Sequence, residues 1–234
     1  MCGALMDTYS ARVLTVEKLS DDSSIIYFSV KGKTFAYEPG QYITVFFEGS
    51  SQVAGKAYSL ASIPSEARCS IVVKDIGEFS GRLCALRKGD TFTCSSGYGH
   101  LNPFSEKPLV CITGGIGLAP IWSIAKSELE KDSSHTVTIV CSHRSSDVIP
   151  FLSELRSAEK TYANFLVRAH ITKQKSVPSD MQKGRVSIVE CLAHEHTSPM
   201  YLLCGSIGFV RDMWRGLSDA GVSPDRISAE SFFE

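Results

Sequence analysis

One stretch of this chain limits its fold more than any other. Pro108 to Ala125 carries no charge and is bounded by Lys107 and Lys126. Its length suits a short membrane span. Gly114, Gly115, Gly117 and Pro120 sit in its middle, where they break a continuous helix. The stretch therefore reads as a buried strand, a tight glycine turn and the start of a helix. That unit, a strand feeding a helix through a turn, is the building block of a parallel α/β sheet.

The residues that follow repeat the grammar. Leu109–Thr113 is an apolar strand and Ile121–Glu130 a helical segment. Strand Val137–Cys141 precedes helix-like Phe151–Ser157, and strand Phe165–Ile171 precedes a helical piece near Val186–Leu192. Strand Tyr201–Cys204 leads into a helix carrying Val210, Met213, Trp214 and Leu217 on one stripe. Gly221 and Pro224 stop that helix, and Ile227–Ala229 closes the chain as a short strand.

The residues before Pro108 read differently. Short segments rich in Val, Ile, Thr and aromatics predict strands at Arg12–Val16, Ile25–Val30, Tyr42–Phe47, Ala57–Leu60, Ile71–Lys74 and Thr91–Cys94. Six short strands without a long helix predict a small antiparallel barrel. The change of grammar places a domain boundary near Asn102–Pro108, with residues 1–104 in the first domain and 105–234 in the second.

Composition removes other classes. The chain has 234 residues, a formal net charge of −1 and 43% apolar residues, which excludes a disordered chain and a nucleic-acid binder working by bulk charge. The first residues show no basic region followed by an apolar run, so no secretory signal is expected. The eight cysteines are widely and irregularly spaced, with no C-x-x-C pair. No zinc or iron–sulfur set is expected, and reduced buried thiols point to the cytosol. His194-Glu195-His196 has i, i+2 spacing, which suits a surface loop better than a metal site.

Three segments carry chemistry. Thr113-Gly114-Gly115-Ile116-Gly117-Leu118-Ala119-Pro120 allows backbone to approach an anion at a helix start. Lys56-Ala57-Tyr58-Ser59 alternates a cation, a ring and a hydroxyl along an extended segment, with Lys56 and Tyr58 on one face. Gly77-Glu78-Phe79-Ser80 offers turn N–H groups and a hydroxyl to a phosphate. Each segment alone is also compatible with an ordinary turn or edge strand.

In combination these motifs resemble those of the ferredoxin–NADP reductase family. The family's R-x-Y-[ST], G-x-x-S, G-G-x-G-x-A-P, C-G and E-x-[FY] correspond to Lys56–Ser59, Gly77–Ser80, Gly114–Pro120, Cys204-Gly205 and Glu230-Ser231-Phe232. Pro39-Gly40-Gln41-Tyr42 matches a further P-G-Q-[YF] segment. The resemblance implies an α+β two-domain protein: a six-stranded antiparallel Greek-key β-barrel binding FAD, then an α/β parallel-sheet domain binding NADP.

It also implies residue roles. Tyr58 would stack on the flavin ring and Ser59 reach its N5 edge. Lys56 would face the pyrophosphate, with Ala57 between them and Gly77, Phe79 and Ser80 capping that phosphate. Val72, Val73 and Lys74 would lie on the ribose and adenine side. Thr113, Gly114 and Gly115 would border flavin and nicotinamide. Cys204, followed by Gly205, would sit at nicotinamide C4, and Glu230 would relay a proton. Ser59, Cys204 and Glu230 are thus the catalytic candidates. Arg144, Lys173 and Arg185, each beyond a strand end, would hold a 2′-phosphate and favour NADPH over NADH.

The implied activity is hydride transfer from NADPH to FAD, then electron delivery to a separate ferredoxin, flavodoxin or oxygenase component, or to a small-molecule acceptor. Lys56 stands where the family usually has Arg, which keeps the charge and loses the bidentate fork. That departure leaves FAD versus FMN open. Two rival readings stand beside this one: a free-flavin reductase of the same fold, and a non-catalytic nucleotide-binding subunit.

Overall fold

The computed structural model describes residues 7–32, 35–49, 52, 54–101, 106–131 and 136–232, with backbone alone at 194–196. The described residues fall into two compact units, one up to His100 and one from Leu101 onward. The domain boundary expected between residues 104 and 105 lies outside the described residues, as do Cys2 and the start of the chain.

The first unit is one antiparallel sheet of β1 (Thr8–Ser20), β2 (Ser23–Val30), β3 (Tyr42–Phe46), β4 (Lys56–Ser59), β5 (Cys69–Lys74) and β6 (Thr91–Ser95). The spatial order is β4-β3-β6-β1-β2-β5. The end strands meet through a Leu60–Ile71 bridge, and the Ala61 N–H donates to the Ser70 carbonyl at 2.8 Å. This contact closes the sheet into a barrel and removes its open edges at that end. The six strands match expectation in number and place. β1 runs well past Arg12–Val16 because irregularities between Val13 and Thr15, and between Lys18 and Ser20, let it bend and keep pairing with β2. Ala11, Ile26, Phe28, Ile43, Val45, Ile71, Val73 and Phe92 fill the interior. Helix α1 (Glu78–Cys84) follows β5 and seals the barrel with Phe79 and Leu83.

The second unit is a parallel sheet with helices. Its strands are β7 (Leu109–Gly114), β8 (Val137–His143), β9 (Phe165–Ile171), β10 (Gln182–Lys183), β11 (Met200–Ser206) and β12 (Ile227–Phe232). Its helices are α2 (Leu118–Glu130), α3 (Leu152–Thr161), α4 (Ile188–Cys191) and α5 (Ile207–Asp219). The strand order is β10-β9-β8-β7-β11-β12. β7, β8, β9 and β11 are buried along most of their length, which explains their largely apolar runs. α2 begins three residues before the expected Ile121. Pro120 falls inside its first turn, where a missing N–H leaves no internal bond unmade. β10 escapes sequence reading because its two residues are exposed and polar.

Among the described residues, no helix is long and apolar enough to cross a membrane. The uncharged stretch from Pro108 is consumed by β7, a 3₁₀ turn at Gly115–Gly117 and the first half of α2.

Candidate functional site

In the first unit the site begins with β4. Its pairing with β3 sets Tyr58 opposite Ile43 and Ser59 opposite Tyr42. Lys56 and Ala57 are exposed, Tyr58 is half-buried and Ser59 is buried. Among the described residues no ion pair engages Lys56, so its charge is available to an anion. The Tyr58 ring lies nearly parallel to Phe79, which in turn packs on Phe47 with centroids 5.1 Å apart. The Arg82 guanidinium lies over the Phe47 ring, 4.3 Å from its centroid, and its Nη1 donates to the Glu48 carbonyl at 3.2 Å. The result is a column, Tyr58–Phe79–Phe47–Arg82, that backs the Tyr58 ring. Burial pushes the Tyr58 phenol above its usual range, so the ring stays neutral.

The Gly77–Ser80 turn is built differently from its sequence appearance. The Ser80 hydroxyl accepts from the backbone N–H groups of Ile76 at 2.9 Å and Gly77 at 3.1 Å, and donates to the Gly77 carbonyl at 3.0 Å. It caps its own helix. What Ser80 and Phe79 offer a phosphate is their backbone N–H, because the Phe79 side chain belongs to the barrel core. Beside Gly77 the space a Cβ would take is open, with no atom within 4 Å. Val72 and Val73 are buried, so that segment presents backbone. Beyond the Leu60–Ile71 bridge, no described strand pairs with residues 72–74 on that side.

In the second unit the strand order reverses between β7 and β11: the chain steps outward from β7 to β10, then returns to β11 on the other side. Ligands of open parallel sheets bind at such a reversal, beyond the carboxyl ends of the strands. The glycine turn and Cys204-Gly205 occupy those two ends. Their glycines serve distinct needs. Gly115 takes a left-handed φ of 57° with open space around it. Gly117 clears the neighbouring strand, since a Cβ there would lie 2.4 Å from the Cys204 carbonyl oxygen. Gly114 and Gly205 both press on the Phe209 ring, with would-be Cβ distances of 3.2 and 3.0 Å.

The register sets Thr113 beside Cys204, and Cys204 beside Glu230. Three residues distant in sequence thus form one row across β7, β11 and β12. Thr113 and Cys204 are both 0% exposed, and Thr113 Oγ1 is buried without a hydrogen-bond partner. Burial, with Glu230 adding to it, pushes the Cys204 thiol well above the usual range. A neutral, enclosed thiol is no nucleophile.

Arg144, Lys173 and Arg185 are exposed and follow the ends of β8, β9 and β10, which are adjacent. The Lys173 N–H donates to the Arg144 carbonyl at 2.9 Å, extending the ladder past the strand ends. The topology therefore brings all three cations to one carboxyl edge.

Two features went unseen in the sequence. His143 ends β8 buried, with Nε2 unpartnered and its pKa pushed down to about 4 by burial. Phe209, the ring under Gly114 and Gly205, has no local motif that marks it. Among the described residues no cluster could hold a metal ion, and seven cysteines are free.

Known proteins share these features. Residues 10–102 match the oxidoreductase FAD-binding domain family, and residues 111–214 the oxidoreductase NAD-binding domain family. The chain is 26% identical over 232 residues to the reductase component 1 of terephthalate 1,2-dioxygenase from Comamonas sp, covering 96% of this chain and 68% of that protein. It is 28% identical to flavohemoprotein A from Dictyostelium discoideum, covering 92% of this chain and 58% of that one. Among solved structures, the FAD/NAD-binding domain of nitric oxide dioxygenase from Vibrio cholerae superposes with a TM-score of 0.85 at 23% identity, covering 96% of this chain and 98% of that one. A ferredoxin NADP+ reductase from Neisseria gonorrhoeae, solved with FAD and NADP, gives 0.79 at 19% identity, covering 97% and 99%.

Proposed function

Because the chain belongs to the ferredoxin–NADP reductase family, with one FAD-binding and one NAD-binding domain, we propose that it takes hydride from NADPH onto FAD and passes the electrons to a separate protein. The favoured acceptor is an oxygenase component, by analogy with the terephthalate dioxygenase reductase; a ferredoxin or flavodoxin has the same requirement for an external electron donor. The cytosol suits a chain whose described cysteines are all free.

The carrying observation is the strand reversal, where the glycine turn meets Cys204-Gly205 and the row Thr113–Cys204–Glu230. The residues fit the two cofactors. The buried, unpartnered Thr113 Oγ1 lacks an acceptor or donor that a ligand can supply, and the open space at Gly77 and Gly115 admits phosphate oxygens. Bound flavin supplies the two-electron-in, one-electron-out chemistry. This chain's residues bind and orient. Tyr58 offers a flat face held by Phe79, and Lys56 a charge for the pyrophosphate. Ser59 stands next to Tyr58 for the flavin N5 edge. Cys204 shapes the floor beneath the nicotinamide, while Glu230, half-exposed beside it, is placed to hold a proton. Arg144, Lys173 and Arg185 supply cations for a 2′-phosphate.

A visible spectrum of the purified protein, followed by anaerobic titration with NADPH, tests this reading. A yellow protein bleached by NADPH is expected. A protein that neither retains added FAD nor oxidises NADPH would overturn it. The single-pronged Lys56 favours one second reading: a colourless protein that oxidises NADPH only with added flavin is a free-flavin reductase.

A further inference from the structure

Helix α4 is one turn long and cannot hold itself by internal bonds. Its neighbours set its place. Ile188 presses so closely on α5 that a Cβ at Gly216 would lie 2.5 Å from Ile188 Cγ1. On the polar side, the Glu190 carboxylate faces two strands. Its Oε1 accepts from Gln182 Nε2 on β10 at 3.2 Å, and its Oε2 lies 2.7 Å from His170 Nε2 on β9, a close approach made outside hydrogen-bond geometry. Gln182 is also the register partner of His170. The His170 side chain is 4% exposed and that of Glu190 23%, so the contact lies largely out of water.

This bridge brackets a short segment, residues 184–187, that joins β10 to α4. At one end the Gly184 N–H donates to the Ile171 carbonyl at 2.9 Å, with a left-handed φ of 117°. At the other end Val186 is buried in the core with Cys191. Arg185, between these anchors, is exposed. A core of ordinary size needs no carboxylate facing a buried imidazole, and such a pair contributes little net stability compared with apolar packing. Its best-attested use is to fix register.

We propose that His170 and Glu190 are positioning residues for Arg185, and so set the preference for a nicotinamide cofactor bearing a 2′-phosphate. The Glu190 carboxylate ties α4 to β10 by its hydrogen bond with Gln182 and packs against His170 of β9, which narrows the backbone placement of Arg185 at the edge it shares with Arg144 and Lys173. The inference rests on the reading of that edge as the 2′-phosphate site.

The test measures NADP+ and NAD+ affinity by calorimetric titration, alongside steady-state kinetics with NADPH and NADH, for the FAD-loaded full chain, Glu190→Ala, Arg185→Ala and the double variant. Glu190→Ala is expected to raise KM for NADPH about 3- to 30-fold, a part of the loss expected for a whole charge-assisted contact, with kcat and the NADH parameters held. In the Arg185→Ala background the same change should have no further effect, because its only route is through that guanidinium. Glu190→Gln, which keeps an acceptor for Gln182, should restore part of the affinity. Should Glu190→Ala not fold, Gln182→Ala removes the exposed arm alone and carries the test at about 2- to 5-fold. Equal losses with both cofactors, or a loss that persists without Arg185, would overturn the inference while leaving the 2′-phosphate edge intact. Equal use of NADPH and NADH by the unaltered protein would remove that edge itself, and the inference with it.

Discussion

The ring of Tyr58 lies 15° from parallel with that of Phe79, their centroids 6.5 Å apart. The tyrosine ring is therefore steadied by its own barrel while it stays half-exposed, with surface left for a ligand. Tyr58→Ala should weaken FAD retention by about 1–3 kcal/mol, while Tyr58→Phe keeps most of it, since the contact is ring on ring. Fluorescence titration of the flavin-free protein measures both. Equal affinity in the alanine variant would place the flavin elsewhere.

Arg144→Ala should lower kcat/KM for NADPH by about 10- to 150-fold, the loss of one charge-assisted contact of about 1.5–3 kcal/mol. NADH should be nearly unaffected, because it brings no 2′-phosphate. A matched loss with both cofactors would assign Arg144 to the support of the β8 end instead.

Gly117→Ala places a methyl group where the Cys204 carbonyl oxygen already lies 2.4 Å away. Backbone must shift on β11 or the turn. We expect a cost of about 1–3 kcal/mol in urea unfolding, and NADPH binding weakened more than FAD binding. Gly115→Ala, by contrast, meets no neighbour and costs only the left-handed strain, about 1 kcal/mol. A Gly117→Ala protein as stable and as tightly NADPH-binding as the parent would disprove the close approach.

His143 gives the protein an acid sensitivity of known sign. Its folded pKa is pushed down to about 4, against about 6.5 when unfolded. Between those values the unfolded chain binds the extra proton, so stability is intact above about pH 6.5 and falls as the pH drops toward 4. From pH 7 to pH 5 this contributes a loss of about 2 kcal/mol. His143→Gln should flatten that part of the profile, as read from urea midpoints at the two pH values.

Much of the fold is legible in the sequence because burial is written as composition. Phe165–Ile171 is the same strand in both readings, since five of its seven residues are apolar and five are buried. The site is legible only in part. A glycine run announces a turn, yet nothing local says that Gly117 clears a carbonyl on a strand met much later. The Gly77–Ser80 spacing suggests a hydroxyl aimed outward, whereas the Ser80 hydroxyl bends back onto the N–H groups of Ile76 and Gly77. Local hydrogen-bond competition decides that, and spacing does not encode it. The Glu190 contacts depend on β10, two exposed residues with no hydrophobic signature.

β7 and β11 lie side by side, yet Leu109 and its partner Met200 are separated by roughly ninety residues of chain. Closing so long a loop delays their meeting until the intervening strands and helices are in place. Tyr58 and its aromatic backing, by contrast, draw only on residues before His100. A growing chain on the ribosome thus completes the flavin-facing half first. A chain cut before Met200 keeps the whole glycine motif but has no strand for it to close against, and competence for the nicotinamide cofactor waits on β11.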